Sequence, residues 1–313
     1  MFKNKNCIII IGLILLASTA AVFGQSNRTY VAESGSDSNL CTTAAPCRTV
    51  FKALSVVNPG GEVVITENGD YENFFVGKSV TVGAAPGVNA KITVAGGNGI
   101  WVGGAQSTDT VTIRNLHLTG PGAGTGSVTA IGIYNSSAGT IFIDNCILTD
   151  FSNAISSSAA GQAFITNTTV RNSLFGIGIQ APIAEGTVRA TIDNCLIEMN
   201  DTGISFTSKV TGTIRNTIAA NNSSRAVLLR STIANMRTEA MIENCQFNSN
   251  TVGLLVTGTL GVSVARLSRT TINNSRLSGI SMAAPNIVYT LQNNVFTGNF
   301  PDVSGTLTPL SLQ

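Results

Sequence analysis

One short phrase returns eight times between Val111 and Phe296: Ile, any residue, Asn, then an apolar residue three places on. The copies are Ile113-Arg114-Asn115, Ile143-Asp144-Asn145, Ile165-Thr166-Asn167, Ile192-Asp193-Asn194, Ile214-Arg215-Asn216, Ile242-Glu243-Asn244, a degenerate Leu267-Ser268-Arg269, and Leu291-Gln292-Asn293. Steps between the third positions are 30, 22, 27, 22, 28, 25 and 24 residues, so constant segments are separated by loops of variable length. The Ile or Leu and the later apolar residue (Leu118, Leu148, Val170, Ile197, Ala219, Phe247, Ile272, Phe296) are five residues apart. Side chains on a strand alternate faces with period two, so both can point inward only if the chain bends between them.

Asn suits that bend, because it tolerates the left-handed region and bonds to nearby backbone. If each repeat is one coil laid on the last, the corner Asn residues stand about 4.8 Å apart and can pair in a ladder. A second phrase, a small residue then an aliphatic one, follows nine or ten residues after most corners: Ala154-Ile155, Gly176-Ile177, Gly203-Ile204, Ala226-Val227, Gly253-Leu254 and Gly279-Ile280. Each coil therefore carries at least two short strands. Cys146, Cys195 and Cys245 follow alternate corners, with Thr168, Thr217 and Thr270 between them, which points to duplication of a two-coil unit.

Ahead of the repeat, Thr49 to Val57 places Val50, Phe51, Ala53, Leu54 and Val57 at helical spacing, and Asn58-Pro59-Gly60-Gly61 stops it. A stack of coils needs its apolar end covered, and this helix is the expected N-terminal cap. Together these features resemble the right-handed parallel β-helix proteins of the pectate lyase-like superfamily, in the form found in secreted bacterial proteins. The resemblance implies an all-β, right-handed single-stranded parallel β-helix, a solenoid with a short N-terminal capping helix. The divisions expected are a signal peptide over 1–24, an N-terminal strand, disulfide loop and capping helix over 25–61, coils over 62–300 and a tail over 301–313.

Lys3 and Lys5 precede an apolar run from Cys7 to Ala17 and small residues up to Gly24, which reads as a secretory signal and predicts an extracellular or periplasmic protein. The run is too short for a spanning helix. Removing Lys3 and Lys5 leaves 16 basic against 16 acidic residues, a balance that argues against nucleic acid. Cys41 and Cys47 flank a short loop and are expected to pair in an oxidising compartment. Cys146, Cys195 and Cys245 stand two coils apart, about 9.6 Å, beyond disulfide reach, and are expected to be free packed thiols.

In the superfamily resembled, activity rests on carboxylates grouped on one face, either holding Ca²⁺ and a uronate beside a basic residue or acting as acid and base on a glycosidic bond. The outward column one residue before each corner reads Arg114, Asp144, Thr166, Asp193, Arg215, Glu243, Ser268, Gln292. A cross-strand charge ladder is the favoured reading of this column, and if a sugar binds, Asp193, Arg215 and Glu243 are the first choice for touching it. An Arg between two acids lowers their pKa values, the opposite of what a general acid needs. The family's catalytic phrases, paired Asp with Gly-His-Gly or Asp-His with Arg-Pro, are absent from the sequence. His117 has no nearby ligand partner and reads as structural. Arg225, Arg230, Arg237, Arg266, Arg269 and Arg276 thicken the C-terminal half and are candidates for an anionic-glycan surface. The Asn-x-Ser/Thr sites at Asn167 and Asn222 are formal glycosylation acceptors, with corner amides expected to be occupied in the ladder.

The reading is therefore a secreted, non-catalytic, monomeric β-helix in glycan or surface interaction, with no catalytic, cofactor-binding or metal-binding residue assigned. The alternative is a polysaccharide lyase or glycoside hydrolase acting on a polysaccharide, including one that contains uronate.

Overall fold

The computed structural model describes residues 26–122, 129–182 and 186–310. Every named strand pairs in parallel, and from the second coil on each pairs with the strand three positions later in the chain, so the chain winds as a right-handed solenoid with three faces. One face is a twelve-stranded sheet that includes Thr140–Asp144, Gly161–Thr166, Val188–Asp193 and Val210–Arg215. A second, ten-stranded sheet follows the corner and includes Ile147–Thr149 and Thr169–Arg171. A third, also of ten strands, carries the second phrase, as in Asn153–Ser157 and Phe175–Gln180. We call these the first, second and third sheets. The expected signal segment lies outside the described residues.

Inward positions stack like with like. Ile113, Ile143, Ile165, Ile192, Ile214, Ile242 and Leu267 form one column of the core, and Leu118, Leu148, Val170, Ile197, Ala219, Phe247 and Ile272 form another, all essentially without solvent contact. Each of these side chains larger than Ala219 contributes on the order of 1.5 to 3 kcal/mol by leaving water. In the third sheet the small residue of the second phrase is fixed by the next coil: a Cβ at Gly203 would lie 2.6 Å from the Ala226 carbonyl oxygen.

The corners turn as the sequence predicts. Asn115, Asn145, Asn167, Asn194, Asn216 and Asn244 all have φ between 49° and 58°, and Arg269 takes the same region at 47°. The last copy differs. Gln292, with φ 62°, turns the chain, and Thr290 pairs with Leu267 in the inward slot expected for Leu291. One extra residue then separates the corner from Val295, which shifts the register by one.

A second bend was not read from the sequence. Asp150, Asn172, Met199, Asn221, Ser249 and Asn274 also have φ between 52° and 68°, and the residue after each points into the coil. In three successive coils that residue is a buried Asn. Asn200 donates to Asn222 Oδ1 at 3.2 Å and Asn222 to Asn250 Oδ1 at 2.9 Å. The backbone N–H groups of Ser173, Asn200 and Asn222 each donate to the amide oxygen of the Asn in the next coil. The side-chain amides of Asn200, Asn222 and Asn250 also cap the carbonyls of Val170, Ile197 and Ala219.

At the N-terminal end, Ser26–Val31 adds the first strand of the first sheet, and the Cys41–Cys47 disulfide closes the loop beside it. Thr49 caps the helix Val50–Val56 by accepting from Lys52 N at 3.1 Å. Asp37 accepts from the backbone of Arg48 and Thr49 and from the Thr49 hydroxyl; burial alone would raise its pKa, but these bonds outweigh it and hold the carboxyl below its usual range. Val50, Ala53 and Leu54 cover the first coil. Phe51, expected on that buried side, is instead 69% exposed, because its position in the short helix faces away from the stack. At the other end Val303–Ser304 and Leu307–Pro309 continue the third and first sheets.

Candidate functional site

The corner amides and the acids of the column before them are hydrogen-bonded from coil to coil. Asn145 donates to Asn115 Oδ1 at 2.9 Å, Asn194 to Asn167 Oδ1 at 2.8 Å, and Asn244 to Asn216 Oδ1 at 2.8 Å. Between those pairs an acid takes over. Asn167 donates to Asp144 Oδ1 at 2.7 Å and Asn216 to Asp193 Oδ1 at 2.8 Å. The carboxylates are thus rungs of the corner ladder.

Each acid of the column is also held by a hydroxyl or a guanidinium. Thr166 Oγ1 donates to Asp144 at 2.6 Å. Arg215 clamps Asp193 through Nε and Nη2, both at 2.9 Å, while Glu243 pairs with Arg269 in the following coil. Arg215 therefore does not bridge Asp193 and Glu243: its fork reaches back one coil, and Arg269, standing where an Asn was expected, neutralises Glu243. Glu62 sits between Arg28 and Arg114 in the same way, with Gly83 leaving room for the Arg114 side chain to cross.

Beside this column, the outward middle of the first sheet runs Thr112, Phe142, Phe164, Thr191, Thr213 and Met241. Phe142 and Phe164 stack face to face at 4.7 Å with planes 9° apart. The nearest large hollow, about 590 Å³, lies where Arg28, Glu62 and Arg114 meet Thr81 and Thr112. Alternation of outward positions in Thr140–Asp144 and Gly161–Thr166 was the available signal for the Phe pair.

His117 lines a hollow of about 580 Å³ with Asn89, Asn115 and Asn145. Burial, then Lys91 and Arg171, lower its pKa, so the ring is neutral at pH 7. Among the described residues no three of His, Cys, Asp and Glu converge as a metal shell would. Burial pushes the thiols of Cys146, Cys195 and Cys245 up to about 12, 11 and 11, so they are not poised as nucleophiles at neutral pH.

The arginines of the C-terminal half do not form one patch. Arg237 and Arg266 share Glu239 on the first sheet, and Arg266 also lies over Tyr289 at 5.6 Å. Arg269 is at the corner, Arg225 and Arg230 are on the third sheet, and Arg276 donates to Thr251 at a turn. Among the formal glycosylation acceptors, Asn167 is bonded into the corner ladder and Asn222 is buried in the inner one.

Residues 129–301 match the family model described as the right handed beta helix region. The chain belongs to that family. No curated protein matches it. Among solved structures, XylC in complex with xylose aligns at TM-score 0.54 and 12% identity, over 87% of this chain and 75% of that one. Pectate lyase Pel9A aligns at 0.52 and 17%, over 84% and 67%. A lacto-N-biosidase from Eubacterium ramulus aligns at 0.53 and 12%, over 91% and 67%. At these identities the likeness is one of fold, and a right-handed β-helix carries many unrelated activities.

Proposed function

We propose that the protein is a secreted, monomeric, non-catalytic β-helix that binds glycan outside the cell or at its surface, using the outward face of the first sheet beside Asp193, Arg215 and Glu243. The observation that carries this reading is that every acid of the column has a fixed polar partner. Asp144, Asp193 and Glu243 are each held by Arg, Thr or Asn partners, and Arg28 and Arg114 are held by Glu62. A glycosidase acid needs a carboxyl whose proton is retained near neutrality, and a lyase base needs a basic group not already committed. A surface with fixed charges and a stacked aromatic pair suits reversible contact with hydroxylated rings.

The sugar-related names of the fold neighbours, xylose, pectate and lacto-N-biose, favour a glycan over other ligands. The disulfide supports export. None of the described helices is long and apolar enough to span a membrane. The test is incubation of the mature protein with uronate and neutral polysaccharides, with and without Ca²⁺, following retention and products together. Retention without new chain ends is expected. New reducing ends or unsaturated products would replace this reading with the lyase or hydrolase alternative.

A further inference from the structure

We propose that Phe51, Phe75 and Trp101, at the N-terminal end of the third sheet, form a platform for the rings of a neutral oligosaccharide. The platform is on a different face from the acid column and rests on the glycan reading only for its ligand class. Three large aromatic side chains stand together in water there, Phe51 69% exposed and Phe75 and Trp101 each 43%. Exposed apolar groups gathered in one place mark contact surfaces far more often than isolated ones do.

The rings are held in position. Phe75 and Trp101 are register neighbours in adjacent strands and meet edge to face at 5.2 Å, with planes 75° apart. Two residues after each stands a glycine, and a Cβ at Gly77 or Gly103 would lie 2.9 Å from the Phe75 ring or 2.6 Å from the indole. Each ring therefore folds back over backbone that no other residue would leave open. The indole N–H donates to Ser136 Oγ at 3.0 Å, which fixes the ring and leaves its apolar surface as what the site offers. Phe51 is presented by the capping helix, which the Thr49 cap and Asp37 hold in place.

Two hollows of about 260 and 360 Å³ share Phe51 and Phe75. The larger has an amide rim, and the smaller carries one cation. Asn73 and Asn98 border one, and Lys78, the lone charged side chain lining either, donates to the Val57 carbonyl at 2.5 Å. A pyranose with equatorial hydroxyls has two chemistries at once: C–H groups of slight positive charge on its faces and hydroxyls around its edge. Aromatic faces are negative and attract the first, and amides bond the second. A membrane or a second protein chain would gain little from amides beside the rings, and the larger hollow, the one that Trp101 lines, offers a uronate no charged side chain.

Trp101 is the only tryptophan in the chain, so its emission reports this site alone. The mature protein would be titrated with xylohexaose, cellohexaose and, as the acidic counterpart, hexagalacturonate. A saturable emission change with a neutral hexasaccharide is expected, weakened about tenfold by Phe75→Ala and by Phe51→Ala with thermal unfolding unchanged. Calorimetric binding that leaves the emission still and survives Phe75→Ala would overturn the platform while sparing the glycan reading. An equal response to hexagalacturonate would overturn the neutral class. An emission change driven by protein concentration alone would make a second copy the occupant, and failure to bind any glycan by either method would sink both proposals.

Discussion

Asn194 and Asn222 belong to consecutive coils and carry the same amide, yet one stands in water at a corner and the other is sealed inside. Asn194 contributes a left-handed φ of 53° and one side-chain bond to Asn167, a kind of rung that an acid replaces in two of the five steps from Asn115 to Asn244. Asn222 is 1% exposed, follows the bend at Asn221, and makes four side-chain bonds that span three coils. The outer file sets where the chain turns and tolerates substitution by Asp or Arg partners. The inner file satisfies buried backbone that nothing else can reach, so its tolerance is low.

That contrast makes a graded set of predictions. Asn222→Ala leaves the Asn200 N–H and the Ile197 carbonyl without their partner, and destabilises by about 3 kcal/mol; chemical denaturation would show it, and a loss no larger than that at the corner would erase the distinction. A smaller effect, about 1 to 2 kcal/mol, is expected for Asn194→Ala, which puts a residue without Asn's short polar side chain in the left-handed region and removes one exposed rung. Asn194→Gly restores the φ without the amide and recovers most of that loss; equal effects of Ala and Gly would mean that the bond, and not the turn, holds the corner. Arg215→Ala removes a clamp whose Arg is half exposed, and costs less than about 1 kcal/mol, shrinking further in high salt. Least of all, Cys245→Thr copies the residue found at Thr217 and Thr270 and changes stability by well under about 1 kcal/mol. Alkylation of native protein at neutral pH should leave Cys146, Cys195 and Cys245 unmodified, and rapid labelling would contradict their burial.

The corners were legible because three constraints coincide there: an inward Ile, a left-handed residue and an inward residue three places on. The inner file was hidden by uneven occupancy. Six residues after successive corners come Phe151, Ser173, Asn200, Asn222, Asn250 and Ser275, all buried, but of mixed chemistry. The repeated spacing from Asn194 to Asn200, Asn216 to Asn222 and Asn244 to Asn250 was the signal present. Gln292 escaped because Leu291 mimics the phrase one residue out of step. Coils differ in length chiefly between the third sheet and the next first-sheet strand: 232–236 joins Arg225–Ser231 to Arg237–Glu243, where 208–209 suffices between Thr202–Thr207 and Val210–Arg215. The matching stretch near Gln180 to Gly186 includes residues outside those described.

For the site, the sequence placed Asp193, Arg215 and Glu243 in one outward column. It could not say which acid Arg215 would choose, since that depends on whether the guanidinium reaches back or forward along the stack. Nor could it bring Phe51, Phe75 and Trp101 together, because the helix and two coils that carry them meet only after the cap is docked.

The claim beneath all of this is that neighbouring corners lie one coil apart, in one file. Paired substitution with cysteine at exposed corners measures that distance directly. Asn167→Cys with Asn194→Cys should close an intramolecular disulfide under mild oxidant, since adjacent strands hold Cα atoms about 4.8 Å apart, whereas Asn145→Cys with Asn194→Cys, about 9.6 Å apart, should stay reduced. Efficient closure of the distant pair, or failure of the adjacent one, would contradict the stacking on which both the ladder and the binding faces depend.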